Sequence, residues 1–308
     1  MSLKLTILGC HSATPRVNAH PTSQFLELKN HHFLIDCGEG TQTQLRKYSI
    51  KLSKIKHIFI SHLHGDHYFG LVGLIATFSL LNRETELHIY APKGLKEIIT
   101  LQLKISNSWT KYPLIFHELT AAKSELIFED DKVEVHTIPL AHRIYTNGFL
   151  FKEKLGERKL NMTAVSKLSE IEVCDYQNLK NGRDFILENG TILKNETLTL
   201  NPPTPLSYAF CSDTAYFPAI ISLIKNVNCL YHEATFLSDR ETLAETTKHS
   251  TAAQAAKIAK QANVKQLIIG HFSSRYKNKM AFKTEAEQHF KNTLIAEEGK
   301  LFEINNSK

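Results

Sequence analysis

The segment 58–70, IFISHLHGDHYFG, restricts the possible folds of this chain more than any other. It starts as a short apolar run, which is typical of a buried β-strand. Four potential metal ligands then follow within six residues: His62, His64, Asp66 and His67. Because alternate side chains of an extended chain point the same way, His62 and His64 can bind one ion together. Gly65 permits a sharp turn, after which the aspartate and the last histidine can face a second ion.

A solvated polar loop that contains three histidines by chance is the alternative interpretation of this segment. It does not explain the spacing, since four polar groups beside a buried strand would be costly to bury without partners. We therefore interpret the segment as part of a dinuclear metal site. In such a site Asp66 could also hold or deprotonate a metal-bound water.

Two metal ions need more ligands than one loop supplies. Three other apolar runs end on a ligand-type residue: 133–142 on His142, 206–213 on Asp213 and 264–271 on His271. Each signal is weak alone, because a lone histidine after a strand is more often an ordinary surface residue. Active sites of open α/β sheets gather at the carboxyl ends of the strands, so the joint occurrence of the three predicts that they complete the site.

The rest of the chain alternates short apolar runs with helix-like stretches, which predicts a mixed α/β fold. Strands are expected at 3–8, 33–35, 57–60, 87–90, 133–138, 208–210 and 266–269. Helices are expected at 41–48, 70–81, 93–104 and 250–261, the last with Ser250 as its N-cap. The stretch 151–203 departs from this rhythm, since it is rich in lysine, glutamate, asparagine and threonine, and it is expected to be an insertion.

Composition excludes several classes of protein. With 308 residues, 42% hydrophobic and 22% charged, the chain can bury a sizeable core, and wholesale disorder is not expected. No apolar run reaches the roughly 20 residues of a membrane span. The five cysteines are scattered, so we expect a reducing, cytoplasmic location without disulfides. The net charge of +6 permits a polyanionic partner but is too weak for a dedicated DNA-binding domain.

Further motifs are spread along the chain. They are DCGEGTQ at 36–42, SDT at 212–214, HEATF at 232–236, HST at 249–251 and HFSSRY at 271–276. Together with the histidine loop at 62–67, these motifs resemble the metallo-β-lactamase superfamily and, within it, the ribonuclease Z family of tRNA 3′-processing endonucleases. The histidine loop specifies only the superfamily, whereas the last three motifs are more particular to ribonuclease Z. The resemblance covers nearly the whole chain.

The resemblance implies a four-layered αββα sandwich, the metallo-β-lactamase fold, as a single domain over residues 1–308, with two Zn²⁺ ions per subunit at one edge. In the family, residues at the positions of His62, His64 and His142 bind one ion. Those at the positions of Asp66, His67 and His271 bind the other, and the residue at Asp213 bridges the two ions. Mn²⁺ or Fe²⁺ can also occupy mixed histidine and carboxylate sites, so the identity of the metal stays open.

The implied reaction removes the 3′ trailer from precursor tRNA. Metal-bound hydroxide attacks the phosphodiester and leaves a 3′-hydroxyl on the tRNA and a 5′-phosphate on the trailer. In the family, a histidine at the position of His249, held by the glutamate at Glu233, gives a proton to the leaving oxygen. With Asp66, these are the expected catalytic residues. The alternatives are a capping or salt-bridge carboxylate for Glu233 and a residue that merely precedes a helix for His249.

Residues beside the motifs have expected roles too. Asp36 is expected to accept a hydrogen bond from a ligating histidine, because such imidazoles need an acceptor for their other N–H. Ser273 and Arg275 follow His271 closely enough to contact a substrate phosphate, although a surface salt bridge is the alternative for the arginine. Cys37 and Cys211 adjoin the motifs. We expect both to be buried small hydrophobic residues rather than metal ligands or nucleophiles.

In the family, the inserted segment, here 151–200, forms a protruding arm that grips the elbow of tRNA. The functional unit is a homodimer in which the arm of one subunit serves the active site of its partner. Phosphate contacts are expected from the basic residues Lys152, Lys154, Arg158, Lys159 and Lys167. An ordinary solvated loop is the alternative interpretation of this segment.

Two stretches depart from the family pattern. The arm carries SEIEVCDY at 169–176 where a Gly-Pro element is usual, and the loop 14–23 lacks the Pro-x-Lys-x-Arg-Asn motif that senses the tRNA 3′ end. Two rival functions remain. The first is another metallo-β-lactamase-fold phosphodiesterase or arylsulfatase-like hydrolase of small esters, against which the insertion and His249 argue. The second is a non-catalytic RNA-binding protein with structural metals, against which the complete set of ligands argues.

Overall fold

The computed structural model describes residues 3–306, which form two seven-stranded β-sheets with helices on their outer faces and a small inserted unit. The strands are Leu3–Gly9 (β1), Ser23–Leu28 (β2), His31–Ile35 (β3), His57–Phe59 (β4), Leu87–Pro92 (β5), Leu114–Leu119 (β6), Leu126–Glu129 (β7), Val133–Pro139 (β8), Asn147–Glu153 (β9), Lys159–Leu160 (β10), Phe185–Ile186 (β11), Ile192–Leu193 (β12), Thr199–Leu200 (β13), Ser207–Cys211 (β14), Cys229–Glu233 (β15), Gln266–Gly270 (β16), Thr293–Ile295 (β17) and Leu301–Ile304 (β18). The α-helices are Thr41–Lys47 (α1), Gly65–Leu80 (α2), Leu95–Ile105 (α3), Met162–Val165 (α4), Tyr176–Lys180 (α5), Asn195–Leu198 (α6), Glu241–Thr247 (α7), Ala252–Gln261 (α8) and Met280–Glu287 (α9).

The two sheets have related strand orders. The first runs β18-β1-β2-β3-β4-β5-β6 and the second runs β17-β16-β15-β14-β9-β8-β7. Strands β3 to β6 are parallel to one another, and so are β14 to β17. The carboxyl ends of each parallel set therefore lie at one edge of its sheet, which is where the polar motifs follow the strands.

Alternating side chains build the layers. On β3, Phe33 and Ile35 belong to the core that the two sheets share, whereas Leu34 packs into a second core with helices α1, α2 and α3. Successive residues of a strand point to opposite faces, so a strand that is apolar on both faces must be covered on both sides. Helix α8 contacts β15 and β16 of the second sheet, and α9 contacts β17. This arrangement confirms the predicted αββα layering.

The predicted elements are found with shifted boundaries, and one predicted cap is wrong. Helix α2 begins at Gly65 rather than at residue 70, so Asp66 and His67 lie in its first turn. Ser250 does not cap α8. Thr251 is the N-cap, because its hydroxyl accepts from the backbone N–H of Gln254, whose side chain accepts in turn from the N–H of Thr251.

The segment Glu153–Pro205 forms a compact unit of its own. It contains α4, α5, α6 and two short antiparallel strand pairs, β10 with β13 and β11 with β12. A small apolar cluster of Val165, Ile171, Leu179 and Leu198 packs inside it. The insertion expected from the sequence therefore has a core of its own rather than being an unstructured loop.

The cysteines are unpaired, and four of the five are buried. All five cysteines are free, and Cys37 and Cys211 are fully buried, as predicted. Burial raises the pKa of the Cys37 thiol to about 12, which leaves it protonated and unreactive.

None of the helices in the described part of the chain combines the length and the apolar character that a membrane span requires.

Candidate metal centre and catalytic cluster

The candidate site lies where strands of both sheets end. His62 and His64 follow β4, Asp66 and His67 lie at the start of α2, and the remaining three ligand-type residues come after β8, β14 and β16: His142, Asp213 and His271. The structure brings all seven side chains together in two adjoining groups.

The first group contains three histidines and one carboxylate. Nδ1 of His64 lies 2.9 Å from Nε2 of His62 and 3.2 Å from Nε2 of His142. Oδ2 of Asp213 lies 3.7 Å from Nε2 of His62 and 3.9 Å from Nε2 of His142. The four side chains offer ligand atoms that all lie within 4.8 Å of one another, which is close enough for them to share one ion.

The second group shares the same aspartate. Oδ1 of Asp213 lies 3.2 Å from Nε2 of both His67 and His271. Oδ2 of Asp66 lies 3.5 Å from Nε2 of His67 and 3.8 Å from Nε2 of His271. Asp213 thus directs one carboxylate oxygen toward each group, which is the geometry of a bridging ligand.

The chemistry of the seven side chains fits a pair of divalent metal ions. Nε2 of His67 and Nε2 of His271 are buried without a hydrogen-bond partner within residues 3–306, which is costly unless something coordinates them. Burial, followed by the nearby His67, holds the pKa of His62 well below its usual value, so its imidazole is neutral as a metal ligand requires. Burial opposes the ionisation of Asp213, but His271 and His67 outweigh it and keep the pKa of its carboxyl low.

Hydrogen bonds engage the other ring nitrogen of His67 and of His142. Oδ2 of Asp36 accepts from Nδ1 of His67 at 2.6 Å, which is the interaction expected from the sequence. The backbone carbonyl of Lys248 accepts from Nδ1 of His142 at 2.9 Å. Each bond engages Nδ1, and so orients the ring with Nε2 toward the cluster, where it could bind a metal ion.

The backbone at the site is unusual. Asp36, Asp213 and His271 all have positive φ angles, between 55° and 61°, as does Lys248 at 59°. The left-handed conformation costs a residue with a side chain about 1 kcal/mol or more, and such strain concentrates at functional sites. For Asp36, Asp213 and His271 it turns the chain just after a strand, whereas Lys248 follows helix α7.

The buried Glu233 and the partly exposed His249 form a hydrogen-bonded pair beside the cluster. Nδ1 of His249 donates to Oε1 of Glu233 at 2.8 Å, and the same carboxylate accepts from the backbone N–H groups of Thr214, Thr235 and Ser250. Burial alone would lower the pKa of His249, but the carboxylate outweighs burial and raises the pKa to about 9. Glu233 is therefore neither a helix cap nor a surface ion pair.

A cavity of about 400 Å³ opens onto these groups. Asp66, His249 and His271 line it, together with Ser273 and Arg275. The guanidinium of Arg275 lies 3.4 Å from the hydroxyl of the buried Ser273. The two residues predicted to contact substrate thus share the wall of the cavity with His249.

Sequence reasoning missed two residues at this site. Arg143 lines the same cavity, and its position directly after the predicted ligand His142 was the available signal. Thr235 lies within the HEATF motif, but nothing in the motif indicates that its hydroxyl contacts Glu233 and His271. That contact arises from folding, since 36 residues separate Thr235 from His271.

The basic residues predicted to bind phosphate differ in their surroundings. Lys152 lies outside the inserted unit, and its ammonium is 3.4 Å from a carboxylate oxygen of Glu134. The guanidinium of Arg158 donates to Thr199 and Asn201. Lys159 and Lys167 are exposed and make no ion pair within the described residues.

Comparison with known proteins identifies the family. A family model described as Anti-Pycsar protein Apyc1 matches residues 3–189, a part that ends before Asp213, Glu233, His249 and His271. Ribonuclease Z of Bacteroides fragilis is 46% identical over 295 residues, which are 96% of this chain and 97% of that protein. The chain belongs to the ribonuclease Z family.

Solved structures agree with this assignment. The short form of human tRNase Z (ELAC1) superposes with a TM-score of 0.72 at 26% identity, covering 98% of this chain and 99% of that one. The metallo-β-lactamase fold protein YhfI from Bacillus subtilis gives a TM-score of 0.69 at 16% identity, over 98% of this chain and all of its own, and it shows the fold alone. The family and the fold expected from the sequence are confirmed for this ribonuclease Z family member.

Proposed function

We propose that this chain is a metal-dependent endoribonuclease that removes the 3′ trailer from precursor tRNA. The products are a tRNA with a 3′-hydroxyl and a trailer with a 5′-phosphate. One observation carries the proposal: two groups of ligand-type side chains meet at Asp213, and His249, which is hydrogen-bonded to the buried Glu233, lines the cavity beside them. A metal-binding structural protein would need the first feature but not the second.

We propose that the site binds two Zn²⁺ ions per subunit. His62, His64 and His142 would hold one ion, and Asp66, His67 and His271 the other, with Asp213 between them. When bound, two such ions supply Lewis acidity, which polarises the scissile phosphodiester and acidifies the attacking water. Imidazole and carboxylate also suit Mn²⁺ and Fe²⁺, so loading in the cell depends on metal supply.

The side chains around the ions hold and move protons. Burial opposes ionisation of Asp66, but His67 outweighs it and holds the pKa of the carboxyl far below its usual value, so Asp66 is ionised and can orient a water by accepting a hydrogen bond from it. His249 binds Glu233 through Nδ1 and is cationic near neutral pH, which suits it to protonate the departing O3′ of the tRNA. The buried carboxylate of Glu233 stabilises that cation before transfer.

Ser273 and Arg275 would bind a phosphate of the RNA. A guanidinium can donate two N–H groups to one phosphate, and the cavity wall brings this one next to the reacting groups. The exposed Arg143 lies in the same wall. We propose that these residues align the phosphodiester rather than take part in proton transfer.

We propose that the inserted unit is an arm that binds tRNA away from the cleaved bond. Lys154 and Lys159 belong to it, as does Arg158. The exposed ammonium groups of Lys159 and Lys167 are the best placed to contact phosphates, since Arg158 already donates to two neighbours. Such contacts depend on charge and not on sequence.

We also propose a homodimer, in the cytoplasm, as the functional unit. Helix α3 exposes Ile98, Leu101 and Ile105 at spacings of three and four residues, which place them on one stripe of the helix. Glu97 and Lys104 flank the stripe. A two-fold axis that pairs α3 with its copy would bring the glutamate of one subunit to the lysine of the other, which favours a second copy as the occupant. The five free cysteines suit a reducing compartment.

The test of the function is a cleavage assay on a precursor tRNA with a 3′ extension. Cleavage should require metal, stop on addition of chelator and resume when Zn²⁺ is restored. The tRNA should carry a 3′-hydroxyl and the trailer a 5′-phosphate. A cyclic phosphate on the tRNA would implicate the ribose 2′-hydroxyl and contradict the mechanism. Cleavage of small phosphodiesters without cleavage of precursor tRNA would contradict the substrate.

A further inference from the structure

The hydroxyl of Thr235 lies between the proposed metal centre and the proposed proton donor. Oγ1 is 2.6 Å from Oε2 of Glu233 and 2.8 Å from Nδ1 of His271. It is also 3.3 Å from Nδ1 of His249. Thr235 is almost fully buried, so no solvent competes for these bonds. The hydroxyl therefore contacts the proposed metal ligand His271 and both residues of the Glu233–His249 pair.

The direction of each bond follows from what the atoms can donate. A carboxylate accepts only, so the hydroxyl donates its proton to Glu233. Its lone pairs then accept from Nδ1–H of His271. The result is a continuous chain from His271 through Thr235 to Glu233, and the other oxygen of Glu233 accepts from Nδ1 of His249 at 2.8 Å.

This chain fixes the tautomer of His271. With the proton on Nδ1, Nε2 carries a lone pair, and Nε2 is the buried atom that lies 3.2 Å from Asp213 without a hydrogen-bond partner in residues 3–306. A proton on Nε2 would block coordination. The threonine hydroxyl thus selects the form of the ring that can bind metal.

We propose that Thr235 is a positioning residue that orients His271 toward the metal and, through Glu233, fixes its placement relative to His249. The inference rests on the proposed function for its catalytic consequence, but not for its effect on the ring. Thr235 is not proposed to contact the substrate. It acts by holding a ligand and a proton donor in one hydrogen-bonded unit.

The test compares Thr235→Val, which keeps the shape and removes the hydroxyl, with Thr235→Ser, which restores the hydroxyl. Zn²⁺ affinity is measured by competition with a chromophoric chelator. We expect Thr235→Val to bind Zn²⁺ about 10- to 100-fold more weakly, as for other residues that support metal ligands, and Thr235→Ser to stay within a few-fold of the parent. Thr293→Val is the matched control, because Thr293 is similarly buried and its hydroxyl donates to the backbone carbonyl of Phe290 rather than to a residue of the site. Equal affinity in all four proteins would overturn the proposal.

A measurement on the parent protein does not depend on the variants folding. Nitrogen-15 NMR of the histidine rings reports which nitrogen of His271 carries the proton in the metal-free chain. We expect Nδ1 to carry a proton. A ring whose only proton is on Nε2 would contradict the proposed hydrogen bond to Thr235. If the parent failed to cleave precursor tRNA, the proposed function would fall, whereas the affinity and tautomer results would still decide the role of Thr235.

Discussion

The carbonyl oxygen of Lys248 accepts a hydrogen bond from Nδ1 of His142, 106 residues away in the chain. Lys248 immediately precedes His249. The same turn of backbone thus orients a proposed metal ligand and carries the proposed proton donor. Lys248 takes the left-handed conformation, with φ at 59°, and this conformation directs its carbonyl toward the ligand.

This relationship predicts how substitutions at Lys248 behave. Lys248→Gly should leave zinc binding intact and stability within about 1 kcal/mol, because glycine adopts positive φ without strain. Lys248→Val should lower stability by about 1–2 kcal/mol and weaken zinc binding, because a β-branched residue resists this conformation and moves the carbonyl. Chemical denaturation and zinc titration measure both effects. Equal zinc binding by the two variants would show that the backbone turn does not control His142.

Substitution of the proton donor should separate catalysis from metal binding. We expect His249→Ala to slow cleavage of precursor tRNA by about 10²- to 10⁴-fold, the usual contribution of general acid catalysis, with the zinc content per chain unchanged. His249 also lies within ligand distance of Asp213, Glu233 and His271. Loss of zinc from the variant would therefore identify His249 as a ligand. His289→Ala, at a position without an assigned role, is the control.

Charge removal on the inserted unit should weaken tRNA binding without changing chemistry. In a Lys159→Gln, Lys167→Gln double variant, the slope of log Kd for precursor tRNA against log salt should fall by about 1–2, because each phosphate contact contributes roughly 0.7–0.9. The single-turnover rate at saturating enzyme should stay the same. Lys194→Gln is the matched control, because Lys194 is paired with Asp184 at 2.9 Å. A double variant with the parent's salt slope would remove these lysines from the interface.

The stripe on α3 predicts the oligomeric state. Leu101→Glu introduces a charge at the centre of the apolar stripe, so we expect a dimeric parent and a monomeric variant in sedimentation equilibrium. Lys96→Glu changes a charge on another side of the same helix and should remain dimeric. A monomeric parent, or a dimeric Leu101→Glu, would mean that α3 does not form the interface.

His57 should make stability depend on pH, far from the metal site. Its ring packs against Phe128, Nδ1 is buried without a hydrogen-bond partner in the described residues, and burial lowers its pKa to about 3. The unfolded chain binds a proton near pH 6.5, so this contribution favours folding above pH 6.5 and is lost as the pH falls toward 3. His57→Phe should flatten the fall in unfolding free energy between pH 6 and 4, as measured by urea denaturation. An unchanged slope would contradict the assignment.

Much of the site could be predicted from sequence for a simple reason. Four apolar strands, β4, β8, β14 and β16, are each followed within three residues by a proposed ligand, so the pattern that predicts the strand also places that residue at the edge of a sheet. Strand β15, which ends at Glu233, was not predicted. It contains the polar residues His232 and Glu233 although it is buried throughout, so polarity and burial do not alternate along it. The edge strand β6 was not predicted either, because most of its residues are half-exposed and it lacks a continuous buried run.

The features that sequence could not predict are contacts between distant segments. The bond from Thr235 to His271 and the bond from His142 to Lys248 depend on how strands are placed side by side. The N-cap of α8 is Thr251 and not Ser250, because Ser250 donates instead to the carbonyl of Thr214. Local preference allowed either residue, and a tertiary hydrogen bond decided between them.

We propose that seven side chains hold two metal ions with Asp213 between them. Crystals of the purified protein, grown with Zn²⁺ and measured on both sides of the zinc absorption edge, would reveal these ions. We expect two anomalous peaks, one bound by His62, His64 and His142 and the other by Asp66, His67 and His271, each in contact with one oxygen of Asp213. A single peak, or a peak coordinated by His249 in place of any of these residues, would contradict it.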